Sequence, residues 1–274
     1  TPLYSSAASD VYKRQVPTGS LCPGTAADAR AWPQPRSRID QTVKNPGSIS
    51  PESATGPVVA ASSFAWMCGL LQAVDSFYPT GSYAHSFGLE GLVQAGVIRD
   101  RETLRAFIFQ SALPALRQTE LPIAVHAWRA FGKPDWKTVG ELCVLSAALK
   151  TAREARLASE NIGRQRAELA AQLHRSPLAA EFLQHAATHR WPMGAAIAAA
   201  LEGRVLGAPL PAILAGVCYA NLASLLSAAM KILRLGQSAA QSLLTEALTT
   251  APAMMTTAET LPIDEIGWFN PWLD

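Results

Sequence analysis

The chain has 274 residues, enough for one large domain or two small ones. It carries 23 basic against 21 acidic residues, a formal charge of +2, so no long-range field draws it to nucleic acid or an anionic membrane and its partners must be chosen by local surfaces. Hydrophobic residues make up 49% and aromatics only 7%, so the core is built largely from Ala and Leu, which favours closely approaching helices over a β-branched sheet.

Residues 1–60 mix Pro, Ser, Arg and Asp without a sustained helical or alternating period. They are expected to be disordered, with the opening SSAASDVYKRQ read as adaptor-derived or upstream sequence outside the fold. From residue 61 to 274 the spacing predicts one all-α domain, a bundle of about eight to ten helices. FAWMCGLLQAVDS forms the first helix, closed by the Tyr78-Pro79-Thr80-Gly81 turn, and FGLEGLVQAG the second. Asp100 caps RETLRAFIFQSAL, and Pro114 interrupts or restarts a pattern that runs to Phe131. Asp135 is expected to cap one long helix reaching His174, because Leu142, Leu145, Leu149 and Ala152 recur at helical spacing. Ser176-Pro177 opens PLAAEFLQHAATH, and further helices cover 193–206, 209–234 and 237–250, separated by Gly207 and Gly236.

PLPAILAGVCYANLASLLSAAM, residues 209–230, holds no charged side chain and is long enough to cross a bilayer. Its Tyr219, Asn221 and prolines, and the lack of a basic flank, point instead to a central helix and no membrane association. The four cysteines, Cys22, Cys68, Cys143 and Cys218, form no Cys-x-x-Cys, and no signal-peptide pattern occurs. Buried thiols in a reduced cytoplasmic protein are expected.

Little in the sequence suggests catalysis. His185 and His189, four apart on a predicted helix, share a face that could hold a divalent ion, but no third ligand is near in sequence. His85 and Ser86 are adjacent, which does not supply the through-space geometry of a nucleophile and base, and there is no Gly-x-Ser-x-Gly elbow. Thr80-Gly81-Ser82 precedes a helix as an anion-binding turn would, without a P-loop lysine. We therefore expect no catalytic site, metal site or cofactor; the competing reading is a helical-bundle enzyme that binds a small molecule or metal through these residues.

Two basic clusters are more informative. Arg153, Arg156, Arg164 and Arg166 interleave with Glu154 and Glu160, and Arg156–Glu160–Arg164 are spaced to form a ladder on one solvated helix face. Lys231 follows the long apolar run, at a helix end where a cation suits the dipole.

Taken in order, DSFYPTGSYAHSFGLE, REARLASENIGR and CYANLASLLSAAMKILRLGQSAAQ resemble the urease accessory protein F family over roughly residues 66–250. The resemblance implies an all-α, non-enzymatic chaperone that dimerises. It further implies a complex with accessory protein D (also called H) and the nickel-carrying GTPase accessory protein G, which regulates the GTPase and delivers nickel to apo-urease. It makes Asp75, Pro79, Gly81, His85, Ser86, Gly88, Gly236 and Gln237 the structural signature. It assigns Glu90 to complex formation and Lys231 to the contact with the GTPase, and it adds Arg153, Arg156 and Arg164 as partner-binding candidates. Two departures follow. Arg234 stands where the family commonly has proline, so the local turn is expected to differ. The sequence also stops at FNPWLD, where the family's Arg-His-Glu-x-Gln-Tyr-Ser-Arg-Leu-Phe tail should begin. On that reading, a version carrying the tail should bind accessory protein D more tightly than this chain in a titration of the two; equal affinity would refute it.

Overall fold

A computed structural model describes residues 64–81 and 88–268, all within one unit, Gly56–Asp274. Every regular element among them is helical.

Local chemistry accounts for most helix ends. α1 (Ala65–Val74) stops at Asp75, where the backbone turns extended. α2 (Leu89–Gln94) starts after Gly88, held at φ 82°, a left-handed conformation that favours glycine. α3 (Arg101–Phe107) begins with a reciprocal cap. The Asp100 carboxylate accepts the Thr103 N–H at 2.8 Å, and the Thr103 hydroxyl accepts the Asp100 N–H at 3.1 Å. The Thr103 N–H, together with the Thr103 hydroxyl donating to the same carboxylate at 2.7 Å, holds the Asp100 carboxyl below its usual range.

Pro114 does not end this helix. A π-turn over Ile108–Ala112 carries the chain into α4 (Leu113–Gln118), whose first turn tolerates a residue without an N–H. The break comes instead at Thr119 (φ −126°, ψ −77°), before α5 (Glu120–Gly132). Asp135 caps α6 as expected, accepting the Thr138 hydroxyl at 2.7 Å and its N–H at 3.2 Å.

The single long helix expected from Asp135 to His174 is two helices, α6 (Trp136–Ala148) and α7 (Arg153–His174). The chain turns extended at Ala152 (φ −66°, ψ 123°). The Lys150 carbonyl accepts from the Arg156 guanidinium at 2.9 Å, and the Lys150 ammonium pairs with Glu120. No proline or glycine marks this break, and the apolar spacing runs across it. α8 (Pro177–His189) opens on the Ser176 cap. α9 (Ala195–Leu206), α10 (Leu210–Ile232) and α11 (Gln237–Leu248) follow. α12 (Ala251–Thr260), with Pro252 in its first turn, and a 3-10 turn at Ile263–Glu265 were not anticipated.

α9 is the centre of the bundle. Ala196 to Gly203 are all buried, and α5 and α7 pack most extensively against it. α10 packs in turn against α1, α2, α5, α9, α11 and α12. Among the described residues it is the one helix long and apolar enough to cross a bilayer, and here that apolar surface lies largely in the core. Cys143 and Cys218 are buried, which pushes their thiols up to about 12, whereas Cys68 is exposed, contrary to expectation; Cys22 lies outside the described residues.

The closest approach occurs at Gly163 of α7. A Cβ there would lie 1.9 Å from the Met193 carbonyl oxygen and 2.8 Å from the Gly194 carbonyl carbon, both backbone atoms on the run into α9. Gly163→Ala should therefore push α7 from α9 and cost about 1–3 kcal/mol, seen as a lower urea midpoint at unchanged slope.

Candidate partner interface

The Asp75–Gly81 turn leaves α1 through a dense set of backbone bonds. The Phe77 N–H donates to the Asp75 carboxylate at 2.6 Å, the Tyr78 N–H to the Asp75 carbonyl at 3.0 Å, and the Thr80 N–H to the Tyr78 carbonyl at 2.7 Å. Gly81 closes the turn at φ 71°. The expected Pro-Thr-Gly turn is therefore present. His85 and Ser86 lie outside the described residues.

Beneath the turn sits a polar cluster that the sequence did not reveal. Glu202 of α9 is only 2% exposed, the one charged residue among those described that is sealed in the core. Tyr78, 5% exposed, donates its hydroxyl to Glu202 Oε1 at 2.6 Å. Arg166 of α7 binds Glu202 Oε2 through Nε and donates from Nη2 to the Ala73 carbonyl at 3.0 Å. Burial, reinforced by the Glu202 charge, raises the Tyr78 hydroxyl well above its ordinary range. The adjacent Gln165 amide, oriented with its nitrogen toward acceptors, donates to the Thr80 and Pro79 carbonyls at 2.9 and 3.2 Å.

Arg166 is therefore a core residue rather than part of a solvated face. Nor does the Arg156–Glu160–Arg164 ladder form. Arg156 is held by the Lys150 carbonyl, and Arg164 pairs with Glu168 at 3.3 Å. Arg153 is exposed near the start of α7. Position i+4 made Glu160 and Glu168 equal candidates for Arg164, so spacing alone did not decide between them.

The two charges singled out for partners are presented at separate helix ends. Glu90 is exposed in the first turn of α2, where the helix dipole favours an anion. Lys231 is exposed in the last turn of α10. Neither makes an ion pair among the described residues. After Lys231, Arg234 sits at φ 51°, and Gly236 and Gln237 cap and begin α11. An apolar surface lies elsewhere: Phe64, Met67 and Leu71 share one exposed face of α1, and Phe77 beyond it is 93% exposed.

His185 and His189 belong to a ring stack. His185 lies on Trp136 at 4.5 Å between centroids, and both imidazoles stack against Trp191, at 5.8 and 5.2 Å. The described residues contain no group of three or more His, Cys, Asp or Glu side chains suited to a metal ion. A cavity of about 510 Å³ lies beside the turn, lined mainly by small apolar side chains with Ser224, Asn221 and Arg166 among them.

The UreF family profile matches residues 98–248, more than half of the chain. The chain belongs to the UreF family of urease accessory proteins. It is 27% identical over 208 residues to the urease accessory protein UreF of Bacillus sp. (strain TB-90), covering 76% of this chain and 92% of that protein. It is 28% identical over 215 residues to the urease accessory protein UreF of Xanthobacter autotrophicus (strain ATCC BAA-1158 / Py2), covering 78% and 84% respectively. The matched UreF span holds Arg153, Arg156, Arg164 and Lys231 and begins after Glu90.

Arg234 sits in the left-handed region, φ 51°, a conformation closed to proline, whose ring fixes φ near −65°. Arg234→Gly should leave stability unchanged or raise it by up to about 1 kcal/mol, and Arg234→Pro should lower it by more than about 1 kcal/mol, both read from urea unfolding midpoints.

Proposed function

We propose that the chain is a urease maturation chaperone: a helical scaffold that links accessory protein D/H with the nickel-binding GTPase accessory protein G, regulates that GTPase and helps deliver nickel to apo-urease. The observation that carries this reading is the family match across α3 to α11. In this reading the chain is a non-catalytic binding module of the cytoplasm, with no cofactor of its own and no nucleic-acid or membrane partner. Glu90 contributes to complex formation, and Lys231 offers a compact cation to a carboxylate on the GTPase. Arg153, Arg156 and Arg164 are further partner-binding candidates, although Arg156 is engaged by the Lys150 carbonyl and Arg164 by Glu168.

Self-association is part of the proposal. Phe64, Met67 and Leu71 give α1 an apolar face at three- and four-residue spacing, the pattern with which one helix packs on another, and we take that face as the homodimer contact.

Co-purification tests the reading. The chain is expressed with tagged accessory proteins D and G, beside Lys231→Ala. We expect a ternary complex that Lys231→Ala weakens roughly tenfold, equivalent to about 1.4 kcal/mol. Absence of any complex would reject the proposed function.

A further inference from the structure

The cavity of about 510 Å³ lies where α7 and α10 both pack on α9 but make no extensive contact with each other. α9 supplies only alanines to its wall, Ala196 and Ala199 among them, α7 supplies Ala155 and Ile162, and α10 supplies Asn221 and Ser224. Side chains this small leave the space open. Close-packed interiors hold few voids larger than a water molecule, whereas ligand pockets run to roughly 300–1,000 Å³.

Three polar groups at the wall lack partners. Ser224 is only 7% exposed, and its hydroxyl makes no hydrogen bond among the described residues, not even to the carbonyl one turn earlier that helical serines commonly use. Asn221, three residues before it on the same face, donates from Nδ2 to the Val217 carbonyl at 2.9 Å, and its carboxamide oxygen accepts nothing among the described residues. Trp268 also lines the cavity, and its indole N–H is buried without an acceptor. Buried polar groups are normally satisfied, so these three are matched to something that enters.

Their chemistry says what enters. Water would meet the polar groups but not the Ala, Ile, Val and Leu side chains around them, and apolar space tends to stay dry. The cations at the wall are already paired, Lys150 with Glu120 and Arg166 with Glu202, while Asp75 and Glu154 are exposed carboxylates that repel an anion. No buried carboxylate is left for an ammonium. We propose that the cavity is a binding site for a small neutral amide with an apolar tail: Ser224 and Trp268 are the donors available to its carbonyl oxygen, and Asn221 accepts from its N–H. The proposal is independent of the partner-binding reading, because binding is measured on the chain alone.

Prodan, an uncharged naphthyl ketone whose emission shifts blue in apolar surroundings, reports occupancy. It should fill one saturable site per chain and be displaced by octanamide. Octanoate and octylammonium, with the same tail and charged heads, should need concentrations at least roughly tenfold higher. Ser224→Ala should weaken prodan and octanamide by roughly three- to tenfold, as for one lost hydrogen bond, while its urea midpoint stays level or rises because an unpartnered hydroxyl has gone. Ala155→Leu and, separately, Ala220→Leu should fill the space and abolish binding. Leu71→Gln, on the exposed face of α1, should change nothing.

Absence of a saturable site would overturn the proposal. So would displacement by either charged competitor as effective as that by octanamide, or wild-type affinity in Ser224→Ala. Loss of the dye in Leu71→Gln would place it on α1 and overturn the proposal too. Should the cavity-filling variants fail to fold, Ser224→Ala and the three competitors decide the matter.

Discussion

Eight consecutive residues of α9, Ala196 to Gly203, are sealed from solvent, and five of them are alanine or glycine. Helices can surround such a rod only by coming close, so the neighbours need small residues at the contacts, and Gly163 of α7 meets that need where Met193 and Gly194 lead into α9. The arrangement also decides where polar groups can sit. Glu202, on the same rod, is almost wholly buried, and its carboxylate is met inside the protein by Tyr78 and Arg166. Close packing at the centre thus draws the end of α1 and the following turn onto the bundle, where α1 packs against α9 and α10.

Much of this architecture was legible in the residues. The scarcity of aromatics pointed to an Ala-Leu core, and Asp100, Asp135 and Ser176-Pro177 each cap a helix where their side chains suggested. The misses have specific causes. The α6–α7 break is held by Lys150 pairing with Glu120 on α5 and by Arg156 reaching back to the Lys150 carbonyl, while the apolar period runs straight through it. Pro114 looked like an interruption but occupies a first turn, where its missing N–H does no harm. α12 lay behind a Thr-Thr-Ala-Pro sequence that reads equally well as a loop.

The candidate site divides along the same line. Glu90 and Lys231 are exposed at helix ends, each where the helix dipole favours its charge. The function of Arg166 could not be read from its neighbours, because its partner lies thirty-six residues away on another helix. Local spacing made it one of four similar arginines, and only the fold sets the one paired with buried Glu202 apart from Arg153, Arg156 and Arg164. Phe77 was hidden for a related reason: nothing in an Asp-Ser-Phe-Tyr string says which aromatic turns inward, and the bond from Tyr78 to Glu202 decides it.

α10 carries a further consequence for handling the protein. Its apolar run is harmless while five other helices and α9's small residues cover it, but an unfolded chain displays it whole. Such a segment gathers other unfolded copies faster than it finds its own neighbours, so heating ends in aggregate rather than in a reversible equilibrium. An apparent melting temperature then depends on scan rate and protein concentration. During synthesis, α10 leaves the ribosome before α11 and α12 exist to shield it, and that interval is when the chain most needs protection by chaperones.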